Sequence, residues 1–164
     1  GDREYQSLRD KIEADIMCQL HIKENHFPKV VVLRFCGIIG THTRSPLNTI
    51  FKQAFVPMVM GFDPMFQIIH ESDVASAIIT AIFNDKAEGV FNIAGKKIRP
   101  LSEVIKHLGK VPFPIAGIAI KIYEKYFMQN REYSFPFDLN YWKYPFVIDT
   151  TRAKEVLKFE AKVL

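Results

Sequence analysis

Residues 66–84, FQIIHESDVASAIITAIFN, constrain the fold more than any other stretch of the chain. The apolar start reads as a short buried strand, the polar residues after it as a turn, and the remainder as an amphipathic helix. Val74, Ala77, Ile78, Ala81 and Ile82 fall at i, i+3, i+4, i+7 and i+8, the spacing of one helix face. Ser72 or Asp73 stands where a side-chain oxygen accepts the first free N–H groups of that helix, so a polar residue there needs no functional explanation.

Helices and strands alternate through the rest of the chain. Leu8, Ile12, Ile16 and Leu20 recur every four residues and predict a helix over about 4–24. Pro28 closes the connection to 29–35 (KVVVLRF), a continuous valine-rich run of the kind that forms a buried parallel strand. Gly37 and Gly40 read as a tight exit, Ser45-Pro46 opens a helix to about residue 55, and 61–64 (GFDP) is turn chemistry. Residues 89–94 (GVFNIA) read as another strand, and Leu101, Val104, Ile105 and Leu108 as a helix face stopped at Gly109. Residues 115–128 read as helical, and Asp149-Thr150-Thr151 as the cap of a last helix over 153–157. The alternation predicts an α/β fold with a small parallel sheet.

The 164 residues suffice for one domain with a real core, and 48% hydrophobic with 24% charged residues is an ordinary globular balance. The net charge of +4 comes from scattered Lys and Arg, with no basic run or zinc-finger spacing, which argues against nucleic acid as a partner. Cys18 and Cys36 form no CxxC pair and read as two reduced thiols in a cytoplasmic protein. The longest apolar stretch, 111–122, is broken by Pro112, Pro114 and Lys121 and is too short to span a bilayer. No His, Asp and Glu cluster has metal-ligand spacing, so no metal is expected.

Five segments carry a family resemblance, in order: 10–15 (DKIEAD), 32–40 (VLRFCGIIG), 67–75 (QIIHESDVA), 89–95 (GVFNIAG) and 147–157 (VIDTTRAKEVL). Together they resemble the second half of the extended or atypical short-chain dehydrogenase/reductases, the NAD-dependent epimerase/dehydratase family. The resemblance implies the C-terminal part of a Rossmann-like, NAD(P)-binding parallel-sheet fold with a small helical substrate-side lobe and without the N-terminal βαβ half. Residues 4–95 would form the helix–strand core and 96–164 the aromatic-rich lobe of one domain. The eight glycines never make the glycine-rich phosphate loop, so NAD or NADP is expected in a full-length protein and no tight cofactor binding by this chain alone. The chain also opens inside a helical pattern, and Gly1 fits a cleavage scar, so it reads as a piece of something longer.

Site residues carry over by position. Family enzymes place Tyr-x-x-x-Lys on the helix before the long strand; Lys11 matches the Lys, implying contact with the nicotinamide ribose. Ser7 stands at the Tyr position, giving Lys11 and Ser7 as the catalytic pair, although a serine hydroxyl is a poor proton-transfer group unless activated. Tyr5 lies roughly 240° around the helix from Lys11, against about 40° for position 7, and does not substitute. Phe35, Cys36, Gly37 and Ile38 match the loop whose backbone meets the nicotinamide amide; the plain alternative is a strand exit. Arg34 reads as a structural ion-pair partner. His70 matches a substrate-side histidine, and a packed, hydrogen-bonded strand residue is the alternative. Where family members carry Arg in R-D-F-x-H-x-x-D to meet a diphosphate, this chain has Phe66, which leaves Arg44 or Arg131 to meet phosphate, or a substrate that is not a nucleotide sugar. The aromatics between Tyr123 and Phe146 suit a core, a subunit interface or a pocket for an apolar or aromatic substrate, and an amphipathic membrane contact over 115–127 is a further reading.

The expected function is a fragment of an NAD(P)-dependent nucleotide-sugar epimerase/dehydratase-like oxidoreductase or isomerase, acting on a small molecule and assembled as a homo-oligomer. The alternatives are a catalytically inactive NAD(P)-binding or regulatory protein of the same fold and a plain oligomeric interaction domain.

Overall fold

The computed structural model describes residues 2–24, 27–123 and 142–163. The predicted first helix forms α1 (Asp2–Lys23), and the valine-rich run forms β1 (Val31–Phe35). Two side-chain contacts set their relative direction. Arg34 donates to the Asp15 carboxylate from Nε (3.0 Å) and Nη2 (2.5 Å), and His21 Nε2 donates to the Pro28 carbonyl (2.9 Å). As the helix advances from Asp15 to His21 its partners retreat from Arg34 to Pro28, so α1 runs antiparallel to β1. Arg34 is thus the structural ion-pair partner its position suggested.

β1 pairs in parallel with β6 (Gly89–Ile93), from Val31 opposite Gly89 to Phe35 opposite Ile93. At Cys36 the strand changes neighbour. The Cys36 N–H still donates to the Ile93 carbonyl (3.1 Å), but the next residues, β2 (Gly37–Ile39), pair in parallel with β5 (Ile68–His70). The tight exit expected at Gly37 is therefore corrected: the extended chain runs on to Ile39. Gly37 serves close packing, because a Cβ there would strike the Leu47 side chain. Gly95 does the same where the end of β6 passes the Ile68 carbonyl oxygen.

The central unit folds as predicted in outline: β4 (Met65–Phe66), β5, then α3 (Glu71–Ile82). Two details are corrected. The cap of α3 is His70, whose Nδ1 accepts the Ser72 N–H (3.3 Å), while the buried Asp73 accepts the N–H groups of Lys162 (3.1 Å) and Val163 (2.9 Å). The buried face centres on Asp73, Ala77 and Ala81, leaving Ile78 and Ile82 exposed. Small residues on that face let the C-terminal segment, with Ala153, Leu157, Phe159 and Ala161, join the same core.

Ser45 caps α2 (Pro46–Phe51), accepting the Asn48 N–H at 3.1 Å, but this helix ends before residue 55, where β3 (Phe55–Val59) begins. β3 pairs in parallel with β8 (Val111–Ile115), a strand hidden in the sequence by Pro112 and Pro114. Val111 N–H and the Ile115 carbonyl bond toward β3, so by alternation the nitrogens of Pro112 and Pro114 face the free edge, where the missing donor is harmless. β7 (Arg99–Pro100) pairs antiparallel with β4, and α4 (Leu101–His107) ends before Gly109 at φ 72° as predicted. Of the helix expected over 115–128, Gly117–Tyr123 forms α5, while Ile115 belongs to β8. The last helix is a π-helical turn, Ala153–Leu157; ahead of it Asp149 accepts the Thr151 N–H (3.0 Å) and hydroxyl (2.6 Å). The aromatics at 124–141 lie outside the described residues.

β5 separates two cores, Ile68 belonging to one with Phe66, Phe51 and Trp142, and Ile69 to the other with Phe91 and Ala77. Between β4 and β5, Gln67 is 4% exposed. Its Nε2 donates to the Gly95 carbonyl (2.7 Å), its Oε1 accepts the Ile148 N–H (3.1 Å), and its backbone N–H donates to Phe146 (3.0 Å). Gln67→Leu would leave a buried carbonyl and N–H without partners, and is expected to lower stability by about 2–4 kcal/mol, read as a shifted midpoint with unchanged slope in chemical denaturation.

The outer flank of β1 is open. Val30 and Cys36 bond toward β6, so Val31, Leu33 and Phe35 turn their N–H and C=O groups to the other side, where no described strand pairs with them. Ile12, Ile16 and Leu20 of α1 are also each about half exposed. A paired edge and a covered stripe are the lower-energy state. The chain expressed by itself is therefore expected to self-associate, and a monodisperse monomer in light scattering at high concentration would contradict this.

Candidate functional site

Parallel strands that stop at a common edge bring their following loops and helix N-termini together, and open α/β sheets bind ligands there. In this chain β2 ends at Ile39 with Gly40 next and β5 ends opposite it at His70 with α3 next, while β6 ends at Ile93, level with Phe35 and four residues short of that edge.

α1 approaches the sheet near the level where β6 ends. Asp15 is bound to Arg34, near the end of β1, and Lys11 lies one turn earlier, about 6 Å further along the helix axis. Because α1 runs antiparallel to β1, Lys11 stands level with the end of that strand, and Ser7 lies a further turn on. Lys11 is exposed. The Arg34 hydrogen bonds, more than any other influence, hold the Asp15 carboxyl below the usual carboxylate range and raise the Arg34 guanidinium in return.

Phe35 is the last residue of β1, Gly37 and Ile38 belong to β2, and buried Cys36 sits between them at the change of strand partner. Burial pushes the Cys36 thiol up to about 11. It is a protonated, apolar filler at neutral pH and no nucleophile.

The loop after β2 is held from both sides. Buried Asn48 accepts the Gly40 N–H (3.1 Å) and donates to the carbonyls of Gly40 (2.7 Å) and Thr43 (2.6 Å). Glu71 accepts the Thr43 hydroxyl (2.8 Å) and the His42 N–H (3.1 Å). The Thr43 hydroxyl foremost, then the His42 N–H, keeps the Glu71 carboxyl below its ordinary range. Arg44 is exposed on this pinned loop, whereas the His70 ring is committed to capping α3 and lies 2.8 Å from the Ser72 hydroxyl. Arg131 lies outside the described residues.

Phe66 is 3% exposed, edge-on to Phe51 and Trp142 and stacked on Phe146 with centroids 5.2 Å apart. Across the ladder from it, Arg99 joins Lys97, His107, Ile68 and Val104 around a shallow, mostly apolar surface hollow. Another shallow hollow lies by the π-helical turn, where Lys96 and Lys154 both pair with Glu160. Among the described residues no group of His, Cys, Asp and Glu could hold a metal ion, and no helix is long and apolar enough to cross a membrane.

The structure places Phe35 to Ile38 along the continuous β1–β2 segment, His70 opposite Ile39 at the end of β2, Arg44 on the loop after it, and Lys11 on α1 near the level of the end of β1. Sequence reasoning missed Asn48, Glu71 and Arg99. Asn48 follows the Ser45-Pro46 helix start and Glu71 adjoins His70, so both stood beside recognised signals. Nothing local marks Arg99, because its position depends on a pairing between distant segments.

No family model matches the sequence. Uncharacterized proteins of Mycobacterium tuberculosis and Mycobacterium bovis are 31% identical to it over 139 residues, 81% of this chain and 35% of theirs. The chain therefore spans about a third of the length of these relatives. Among solved structures, UDP-glucuronic acid 4-epimerase of Bacillus cereus, in complex with UDP-glucuronic acid and NAD, is similar with TM-score 0.64 and 17% identity, over 94% of this chain and 46% of that one. UDP-glucose 4-epimerase of Thermotoga maritima, with UDP-glucose, has TM-score 0.61 and 19% identity over 94% and 47%. dTDP-glucose 4,6-dehydratase of Bacillus anthracis, in complex with NAD, has TM-score 0.61 and 17% identity over 92% and 45%. The chain has the fold of the C-terminal portion of these Rossmann-like epimerases and dehydratases.

Glu71 supplies a pH test. Its folded carboxyl is depressed, so the loop contacts it makes are fully present above its unfolded pKa and fade as pH falls through the lower folded value. The protection factor of the His42 amide, its exchange rate relative to the unfolded-chain rate at the same pH, should hold at neutral pH and fall only below the ordinary glutamate range, with Glu71→Ala unprotected throughout.

Proposed function

We propose that this chain is the substrate-side portion of an NAD(P)-dependent nucleotide-sugar epimerase or dehydratase. The observation that supports this reading is a fold shared with such enzymes over 94% of the chain, in which α1 carries Lys11 to about the level where β1 passes through Cys36 into β2.

The residues present suit the nicotinamide end of the cofactor: an exposed lysine beside the strand end, backed by a buried, uncharged thiol. When bound, the cofactor accepts a hydride from a sugar carbon and returns it. In this reading Lys11 holds the ribose hydroxyls, the backbone of Phe35 to Ile38 lies along the nicotinamide, and Ser7 occupies the place of the proton-transfer residue. The loop fixed by Asn48 and Glu71 carries Arg44 toward the substrate, and His70 frames the same edge. The pyrophosphate of the cofactor would be held by chain outside these 164 residues.

A second reading, a non-catalytic NAD(P)-binding protein of the same fold, is favoured by one observation: position 7 holds a serine, whose hydroxyl is far weaker as an acid than a phenol. The two separate in one experiment on the full polypeptide containing this chain. NADH binding by fluorescence and turnover of UDP- and dTDP-sugars are measured together, with Lys11→Ala weakening NADH binding about tenfold or more. Binding with turnover supports the enzyme. Binding without turnover on any sugar nucleotide selects the second reading.

A further inference from the structure

The β3–β8 ladder leaves one end of an apolar face bare. Residues 55, 57 and 59 of β3 stand opposite 111, 113 and 115 of β8, and alternation turns these side chains to the same face. At the far end of that face Val59 and Ile115 are buried in the core. At the near end Phe55, Val111 and Phe113 are 61%, 52% and 52% exposed. Phe55 and Val111 are direct cross-strand neighbours, about 5 Å apart, and Phe113 lies about 7 Å further along its strand. The chain then enters α5, which buries Ile120 and turns Ile118 and Ile122 outward.

The charges by the bare end have one sign. Residues 51–62 (FKQAFVPMVMGF) and 104–123 (VIKHLGKVPFPIAGIAIKIY), which contain both strands, hold no Asp or Glu. Lys106 sits in the last turn of α4, and Lys110 immediately precedes Val111. The Lys110 ammonium donates to the Lys52 carbonyl (3.5 Å), three residues before Phe55, and the Lys52 ammonium donates to the Thr41 carbonyl (3.0 Å). Among the described residues no carboxylate pairs with Lys52, Lys106 or Lys110. Asp63 and Glu103, just outside these segments, are engaged at the other end of α4. Asp63 accepts the Ser102 N–H (2.9 Å) and hydroxyl (2.7 Å), and Glu103 pairs with Arg99 (3.4 Å).

Exposed aromatic and aliphatic side chains beside uncompensated lysines match the boundary of an anionic bilayer. Apolar groups enter between the headgroups while ammonium groups meet the phosphates. A second copy of the chain fits worse, because a two-fold contact through this face would set the lysines of one copy against those of the other.

We propose that the bare end of the β3–β8 ladder is a docking surface for an anionic phospholipid membrane. Phe55, Val111 and Phe113 enter the headgroup boundary, and Lys52, Lys106 and Lys110 face the lipid phosphates. The inference stands apart from the nucleotide-sugar reading above. It needs no membrane-spanning helix, and none is present among the described residues.

The test is flotation of the full polypeptide with vesicles of phosphatidylcholine alone and of phosphatidylcholine mixed with phosphatidylglycerol, at low and high salt. The variants are Phe55→Ser/Phe113→Ser, Lys106→Glu and, as a charge-matched control on the turn after α3, Lys86→Glu, with thermal melting of each. Support is binding to the anionic vesicles only, weakened by salt. It is lowered about tenfold or more in Phe55→Ser/Phe113→Ser and in Lys106→Glu, and is unchanged in Lys86→Glu. If the phenylalanine pair lowers the melting temperature, Lys106→Glu decides alone. No vesicle binding by the wild type, equal binding to neutral vesicles, or equal losses in Lys106→Glu and Lys86→Glu overturns the inference. A wild type that ignores vesicles but forms a dimer broken by Phe55→Ser/Phe113→Ser assigns the face to a second copy and overturns it too.

Discussion

One buried amide side chain ties the structure together. Gln67 satisfies the end of β6 through the Gly95 carbonyl and the approach to the C-terminal segment through the Ile148 N–H, while its own backbone continues the ladder to Phe146. A carboxylate at this position could accept from Ile148 but could not donate to Gly95 unless protonated. The amide satisfies both groups without introducing a charge, which is why a polar residue can sit at 4% exposure between two apolar cores.

The same junction explains the shape of the candidate site. The first long strand keeps β6 as neighbour up to Cys36 and then takes β5, so β5 begins at the level where β6 ends, and β2 and β5 carry the sheet on to Ile39 and His70. Cys36 fits there because it is small, buried and uncharged. The Asp15–Arg34 pair then sets the height of α1 against β1, and with it the height of Lys11. Mostly exposed, that pair acts as a register pin more than as a source of stability.

The family-like segments and their departures turn out to be coupled. His70 and Asp73, which carry the resemblance, are occupied with capping α3 and anchoring the backbone at Lys162 and Val163. Phe66, the departure, is locked into the aromatic core with Phe51, Trp142 and Phe146. A charge at 66 would have to be buried in that cluster, so packing and ligand chemistry compete for the position. The apolar cluster holds the position.

The sequence by itself determined the helix–strand alternation, the parallel sheet, the first helix, the strand–helix unit at 66–84, the stop at Gly109 and the role of Arg34. All but the last rest on local periodicity or capping, which a single segment displays; the role of Arg34 is read from its place at the end of the valine-rich run, and its partner, Asp15, only from the structure. Only the tertiary structure decided that His70 rather than Ser72 or Asp73 caps α3, that the extended chain passes Cys36 into β2, and that the proline-bearing β3 and β8 are strands at all. It also decided that Ile78 and Ile82 face outward and that Arg99 stands opposite Phe66. Those outcomes depend on which distant segment lies alongside. A proline is tolerable only when its nitrogen faces a free edge, a helix face is buried only where another segment covers it, and a cross-strand neighbour exists only once the ladder has formed.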